Sequence, residues 1–180
     1  MQPKSESSTR LMARIAGVFY LFTFVFGFMA LASHGNLRFT ANMISTASYV
    51  AVSVLFYVLF KPVNKAISLI AALISLTALT LGVLNMFHRD PLEINNLAFF
   101  GIYCLLIGYL ILKSTFLPRF LGVLMMIGGL GWLTFALPQA KSLEPYNMVP
   151  GIFAEGVLTI WLLVKGVDAQ RWNEQRRVTT

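Results

Sequence analysis

One acidic side chain stands out for its surroundings. Glu155 lies inside the apolar run GIFAEGVLTIWLLVKG, residues 151–166. In hydrocarbon an ionised side chain costs roughly 2.5–3.5 kcal/mol on insertion scales, so such residues face the protein interior and find polar partners. Glu155 is five residues in from Pro150, about 7.5 Å at helical rise. That depth places it in the outer half of the bilayer, on the side where Pro150 enters, so a pocket there is expected to open outward. Gly151 and Thr159 share its helical face one turn to either side, leaving room above it and a hydroxyl below. At similar depth in other apolar runs lie Tyr49, Asn85, Tyr103 and Trp132, with His88 and Asn96 nearer the surface. Two chemistries fit: a polar pocket that binds a small molecule or a proton, or a structural carboxylate bonded to a neighbouring hydroxyl or amide. Tyr103, Asn85 and Tyr49 are the expected partners, with Trp132 and Thr159 next.

The remaining reactive residues offer less. Cys104 is the single cysteine, which excludes an internal disulfide and a multi-cysteine metal site. His34 and His88 are the only histidines, so neither a metal nor another cofactor is expected. GGLGW, residues 128–132, resembles a phosphate-binding glycine loop only superficially, since it sits within an apolar run and no Lys-Ser/Thr follows. No zinc-protease, P-loop, dinucleotide-binding or serine-hydrolase motif occurs, and nothing in the sequence supports an enzyme.

These residues need elements to position them, and composition gives the medium. The 180-residue chain is 57% hydrophobic and 12% charged, about half the charge of an ordinary soluble domain. Six apolar runs, at about 11–33, 41–60, 66–87, 96–112, 118–137 and 147–167, each approach the ~20 residues needed to cross hydrocarbon. Backbone groups in lipid must satisfy one another, so runs of this length are helices. The predicted fold is all-α, a polytopic bundle of six transmembrane helices in one domain. Short polar tails, 1–9 and 173–180, are expected to be exposed, and HGNLRFT is expected to connect the first two helices. The first run, with Arg10 and Arg14 ahead of it and Ala30-Leu31-Ala32 near its end, has a cleaved signal peptide as its rival reading. Its length favours a retained helix.

Eleven Lys and Arg residues fall on the side of the termini and three (Arg38, Arg89, Lys141) on the other. This asymmetry predicts that both termini are cytoplasmic. The net charge of +7 is distributed between apolar runs, which argues against nucleic acid as a partner. YVLFK, YLILK and WLLVK end at Lys61, Lys113 and Lys165, 52 residues apart each time. Three tandem helical hairpins would give this echo, and so would any set of helices ending in an interfacial aromatic and a snorkelling lysine. Small residues repeat every seven positions at Gly101 and Gly108 and at Gly122 and Gly129, and a stripe runs along the third helix from Ser68 through Ala72 and Ser75 to Gly82. Seven residues return to nearly the same helix face, so the glycines predict close packing of helices 4 and 5. Cys104 is assigned to that packing.

Several stretches resemble one uncharacterised family. RIAGVFYLF at Arg14, residues 99–133 (FFGIYCLLIGYLILKSTFLPRFLGVLMMIGGLGWL) and GIFAEGVLTIWLLVKGV at Gly151 are similar to the domain-of-unknown-function 4386 family, with LFKPVNKAISLIA at Leu59 a weaker match. The resemblance implies a prokaryotic multi-pass protein of the plasma membrane and no particular activity. Glu155 fits the family's small-Glu pattern in the last helix. The family pattern has a longer stretch between helices 3 and 4, and a histidine where Tyr103 stands. Three functional readings follow. A carrier or binding protein would use the pocket around Glu155. An accessory or structural subunit would fit the short loops and the missing catalytic residues. A membrane enzyme acting on a lipid or quinone is the third. The expected partners are the lipid bilayer and either other membrane subunits or further copies of the chain.

Overall fold

The structure, a computed structural model, describes residues 3–87, 95–143 and 146–179. Every regular element among them is helical. Six helices, 18–26 residues long by their apolar extents, are long and apolar enough to cross a membrane. In chain order these are α1 (Pro3–Ala32), α2 (Gly35–Phe60), α3 (Lys65–Phe87), α4 (Asn96–Lys113), α5 (Arg119–Leu133) and α6 (Val149–Val164). A seventh, α7 (Ala169–Thr179), is polar, and short 3₁₀ turns occupy Thr134–Ala136, Pro138–Leu143 and Tyr146–Met148.

Local signals set the ends. Asn64 accepts from the Ile67 N–H at the start of α3, and Asn95 accepts from the Leu97 N–H at the start of α4. Each satisfies a donor that the first helical turn leaves open. The Asn95 amide also donates to the Phe135 carbonyl at 2.8 Å, tying α4 to the turn after α5. Gly35, at φ +57°, makes the left-handed step that reverses the chain between α1 and α2. One expectation, the connection between the first two helices, is corrected, and both polar tails prove to be helical. HGNLRFT is almost wholly helical, because α2 begins at Gly35. The N-terminal tail is helical from Pro3. The C-terminal tail belongs to α7, whose Trp172 is buried and donates to the Leu59 carbonyl at 2.8 Å.

Each helix packs on the next in sequence, and α6 packs back on α1, closing a ring of six. The α4–α5 contact is the tightest kind. A Cβ placed on Gly108 would lie 2.8 Å from the Gly122 carbonyl, and one on Gly129 would lie 2.9 Å from the Gly101 carbonyl. Only glycine lets the backbones approach this closely. The side chains turned outward are apolar, Phe22, Val25, Leu130, Phe153 and Ile160 among them, as a lipid-facing surface requires. The interior holds the polar minority: Ser53, Ser68, Ser75, Glu155 and Thr159 are all buried. Ser53 and Ser75 bond each other across α2 and α3 at 2.7 Å.

Candidate functional site

Glu155 sits within the ring, 5% exposed. Its carboxylate collects donors from three other helices. Tyr20 of α1 donates to Oε2 at 2.8 Å. The Trp132 indole N–H of α5 donates to Oε1 at 2.9 Å. The Cys104 thiol of α4 lies 3.9 Å from Oε1, a weak sulfur contact. Behind Tyr20 the chain extends to α2, since the Tyr20 and Tyr49 hydroxyls are 3.1 Å apart. With the Tyr20 proton directed at Glu155, Tyr49 donates to Tyr20. The resulting order is Tyr49 to Tyr20 to Glu155, with Trp132 donating from the other side.

Glycine positions the indole. A Cβ on Gly151, one turn before Glu155, would run into the Trp132 ring, and one on Gly128 would lie 2.9 Å from the Ala154 Cβ. These contacts draw α5 against α6 and bring the Trp132 N–H within reach. The register of α1 against α6 does the same for Tyr20. A Cβ on Gly17 would lie 3.1 Å from that of Leu162. Three residues on in each antiparallel helix, the Tyr20 backbone stands level with Thr159, one turn from Glu155. The hydroxyl spans that turn.

The residues singled out from sequence divide clearly. Trp132 reaches the carboxylate directly, and Tyr49 reaches it through Tyr20. Thr159 donates at 2.8 Å to Glu155's own main-chain carbonyl, not to its carboxylate. Tyr103 is fully buried, its ring 6.0 Å from that of Tyr49, yet its hydroxyl has no hydrogen-bond partner among the described residues. Asn85 lines the same cavity as Glu155 without bonding it. His88 lies outside the described residues. Tyr20 and the Cys104 contact were not anticipated. Tyr20 carried one usable signal, as the hydroxylated aromatic in RIAGVFYLF.

Above the cluster is a cavity of about 480 Å³. All six membrane helices contribute to its wall. Glu155, Tyr49 and Trp132 line its inner part, Phe100 an aromatic side, and Arg38 and Asn96 the end toward the α1–α2 and α3–α4 connections. On the other side of Glu155 the interior is filled. Phe56, Phe60, Leu121, Leu158 and Leu162 are all 0–1% exposed and form an apolar plug toward the termini. No group of three or more His, Cys, Asp or Glu residues suited to a metal occurs among the described residues.

The family model for a domain of unknown function, DUF4386, matches residues 89–166. Residues 89–166 carry the DUF4386 pattern. The match spans α4, α5 and α6 and so includes Tyr103, Cys104, Trp132 and Glu155, while Tyr20 and Tyr49 lie upstream of it. The chain is also similar to an uncharacterised protein of Archaeoglobus fulgidus, 29% identical over 123 residues that make up 65% of this chain and 76% of that protein. No solved structure matches. The likeness is to proteins without a stated activity, so the site itself must supply the functional argument.

Proposed function

We propose that this protein binds a small organic cation in the cavity above Glu155, as a membrane carrier or binding protein. The observation behind this reading is the cavity wall: a buried carboxylate at the inner end, flanked by the faces and edges of Tyr49, Phe100 and Trp132. Carboxylate and aromatic surface together recognise a protonated or quaternary amine, through charge and through the ring quadrupole. The size is compatible, as small-ligand sites run to a few hundred Å³.

The apolar plug defines what carriage would require. With Phe56, Leu158 and Leu162 closing the bundle beyond Glu155, the cavity serves one side of the membrane. Passage to the other side needs a second arrangement of the helices, which a ligand promotes only by binding it more tightly.

The test is thermal stabilisation of the purified chain in mild detergent by a panel of amines, each beside a neutral isostere. The reading expects stabilisation by cations over isosteres and its loss in Glu155→Gln. No preference for any cation would overturn it. A stoichiometric protein partner co-purifying in place of any ligand would favour an accessory subunit.

A further inference from the structure

A second cleft lies at the opposite end of the bundle, where the termini gather. It is an open cleft of about 620 Å³ between the first turns of α1, the α4–α5 connection and the α6–α7 turn. Its charged lining is Arg10, Lys165, Arg171 and Asp168. Arg14 stands beside it, its guanidinium within 3.5 Å of the Val164 carbonyl. Asp168 is already engaged. Its Oδ1 accepts the Gln170 and Arg171 N–H groups, capping α7, and its Oδ2 pairs with Arg171 at 3.4 Å. Arg10 and Lys165 have no carboxylate partner among the described residues.

The setting is a membrane surface. Trp161 lines the cleft, and the Lys165 ammonium lies 4.6 Å from its ring centroid. An aromatic and a lysine at the end of a membrane helix mark the headgroup layer. The wall opposite is held by α7. The Asp168 N–H donates to the Phe116 carbonyl at 3.1 Å, and Arg171 donates to the Thr115 carbonyl at 3.4 Å. Trp172 anchors the same helix to the end of α2. The cleft is therefore a walled recess with a net positive lining at the level of lipid phosphates.

We infer that this cleft is a phosphate site, with Arg10 and Lys165 as its principal contacts. Basic recesses between membrane helices at the bilayer surface take anionic headgroups in this way. The inference is independent of the cation reading, which concerns the other end of the bundle.

Native mass spectrometry of the full chain in mild detergent tests it. The chain is titrated separately with phosphatidylglycerol, with phosphatidylcholine and with inorganic phosphate. The variants are Arg10→Gln with Lys165→Gln, each single change, and a charge-matched control, Lys61→Gln with Lys65→Gln, at the same end but outside the cleft. The expected result is saturable phosphatidylglycerol binding that weakens about thirtyfold in the cleft double variant and by less in each single one, while the control keeps it. That pattern makes a lipid headgroup the source of the phosphate. Saturable inorganic phosphate with the same residue dependence, and no preference between the lipids, also supports the site and makes the source free phosphate. Equal weakening in the cleft and control variants, or no saturable binding of any of the three, overturns the inference. If the double variant does not fold, the single changes decide by the same comparison.

Discussion

At the scale of single residues, the donors around Glu155 are not equivalent. An indole N–H can only donate, whereas a tyrosine hydroxyl can donate or accept. A glutamine at 155 can therefore keep its oxygen toward Trp132 and turn its amide nitrogen toward Tyr20, with Tyr20 donating back to Tyr49. Glu155→Gln should fold with an unfolding free energy close to that of the natural chain while losing cation-dependent stabilisation. Glu155→Leu strands the Trp132 donor and one hydroxyl donor of the Tyr20–Tyr49 pair, at about 1–3 kcal/mol for each buried group left unsatisfied. Reversible unfolding in mixed detergent should separate the two variants, and equal stability would refute the assigned bonds. Cys104, 1% exposed, should resist maleimide until the chain is unfolded. Labelling of the folded protein would mean that the interior opens far more readily than its packing implies. Glu155 was legible in sequence because a carboxylate in an apolar run has few solutions. Its first partner was not. Counting depth along each helix compares Cα positions, and a tyrosine side chain reaches across a full turn, which is how Tyr20 escaped notice. Tyr103 shows the reverse: matched depth without contact, because its hydroxyl does not reach the carboxylate.

At the scale of elements, glycine spacing decides how closely neighbouring helices lie. Gly108 and Gly122 have backbone within 2.8 Å of a built Cβ, whereas Gly156 on α6 has nothing within 4 Å. Gly108→Ala and Gly122→Ala should each destabilise by about 1–3 kcal/mol through overpacking. Gly156→Ala should be neutral or gain up to about 1 kcal/mol, since alanine costs less than glycine to hold in a helix. Melting temperatures of the three variants give the order directly, and a Gly156 variant as unstable as the other two would count against the packing. Gly166, at φ +68°, is a different case. A Cβ there would meet only contacts of 3.6 Å or more, so the penalty for Gly166→Ala is backbone strain of about 1–2 kcal/mol, with α7 the element displaced. The seven-residue glycine repeats were visible in sequence because packing in lipid leaves so few ways to bring backbones together. The beginning of α2 and the helicity of α7 were not visible, since the first is polar enough to read as a connection and most of the second reads as an exposed tail. Trp172 was the overlooked sign in the second case. A lone tryptophan in a run as polar as RWNEQRR needs an apolar site or a hydrogen-bond acceptor, and the Leu59 carbonyl supplies the acceptor.

At the scale of the whole molecule, the six spans among the described residues and the contact of α1 with α7 put α1's start and α7 on one face. The basic asymmetry predicts that this face is cytoplasmic. Cysteine placed at the exposed Asn64 should then be shielded from an impermeant thiol reagent in intact cells, and cysteine at the exposed Gln139 should react. The reverse pattern would invert the orientation. Around the ring, α2, α4 and α6 alternate with α1, α3 and α5, the order three successive hairpins would produce. The repeated aromatic-lysine ends fall on the even helices, where Lys113 and Lys165 lie over Tyr109 and Trp161.

The closed ring also has a consequence for how the protein is made. Each of α2 to α5 meets its predecessor as soon as it leaves the ribosome, so five helices can associate in order of synthesis. The seam between α1 and α6 cannot form until residues 149–164 have been inserted. Until then Tyr20 and Trp132 face a gap with no carboxylate to accept their hydrogen bonds, in a medium that offers no water in its place. The last membrane helix thus brings the acceptor that Tyr20 and Trp132 await, and its arrival converts an open, polar-lined crescent into a closed ring. A nascent chain halted before α6 would present that hydroxyl and the indole N–H to lipid, a surface that membrane quality control could distinguish from the finished protein.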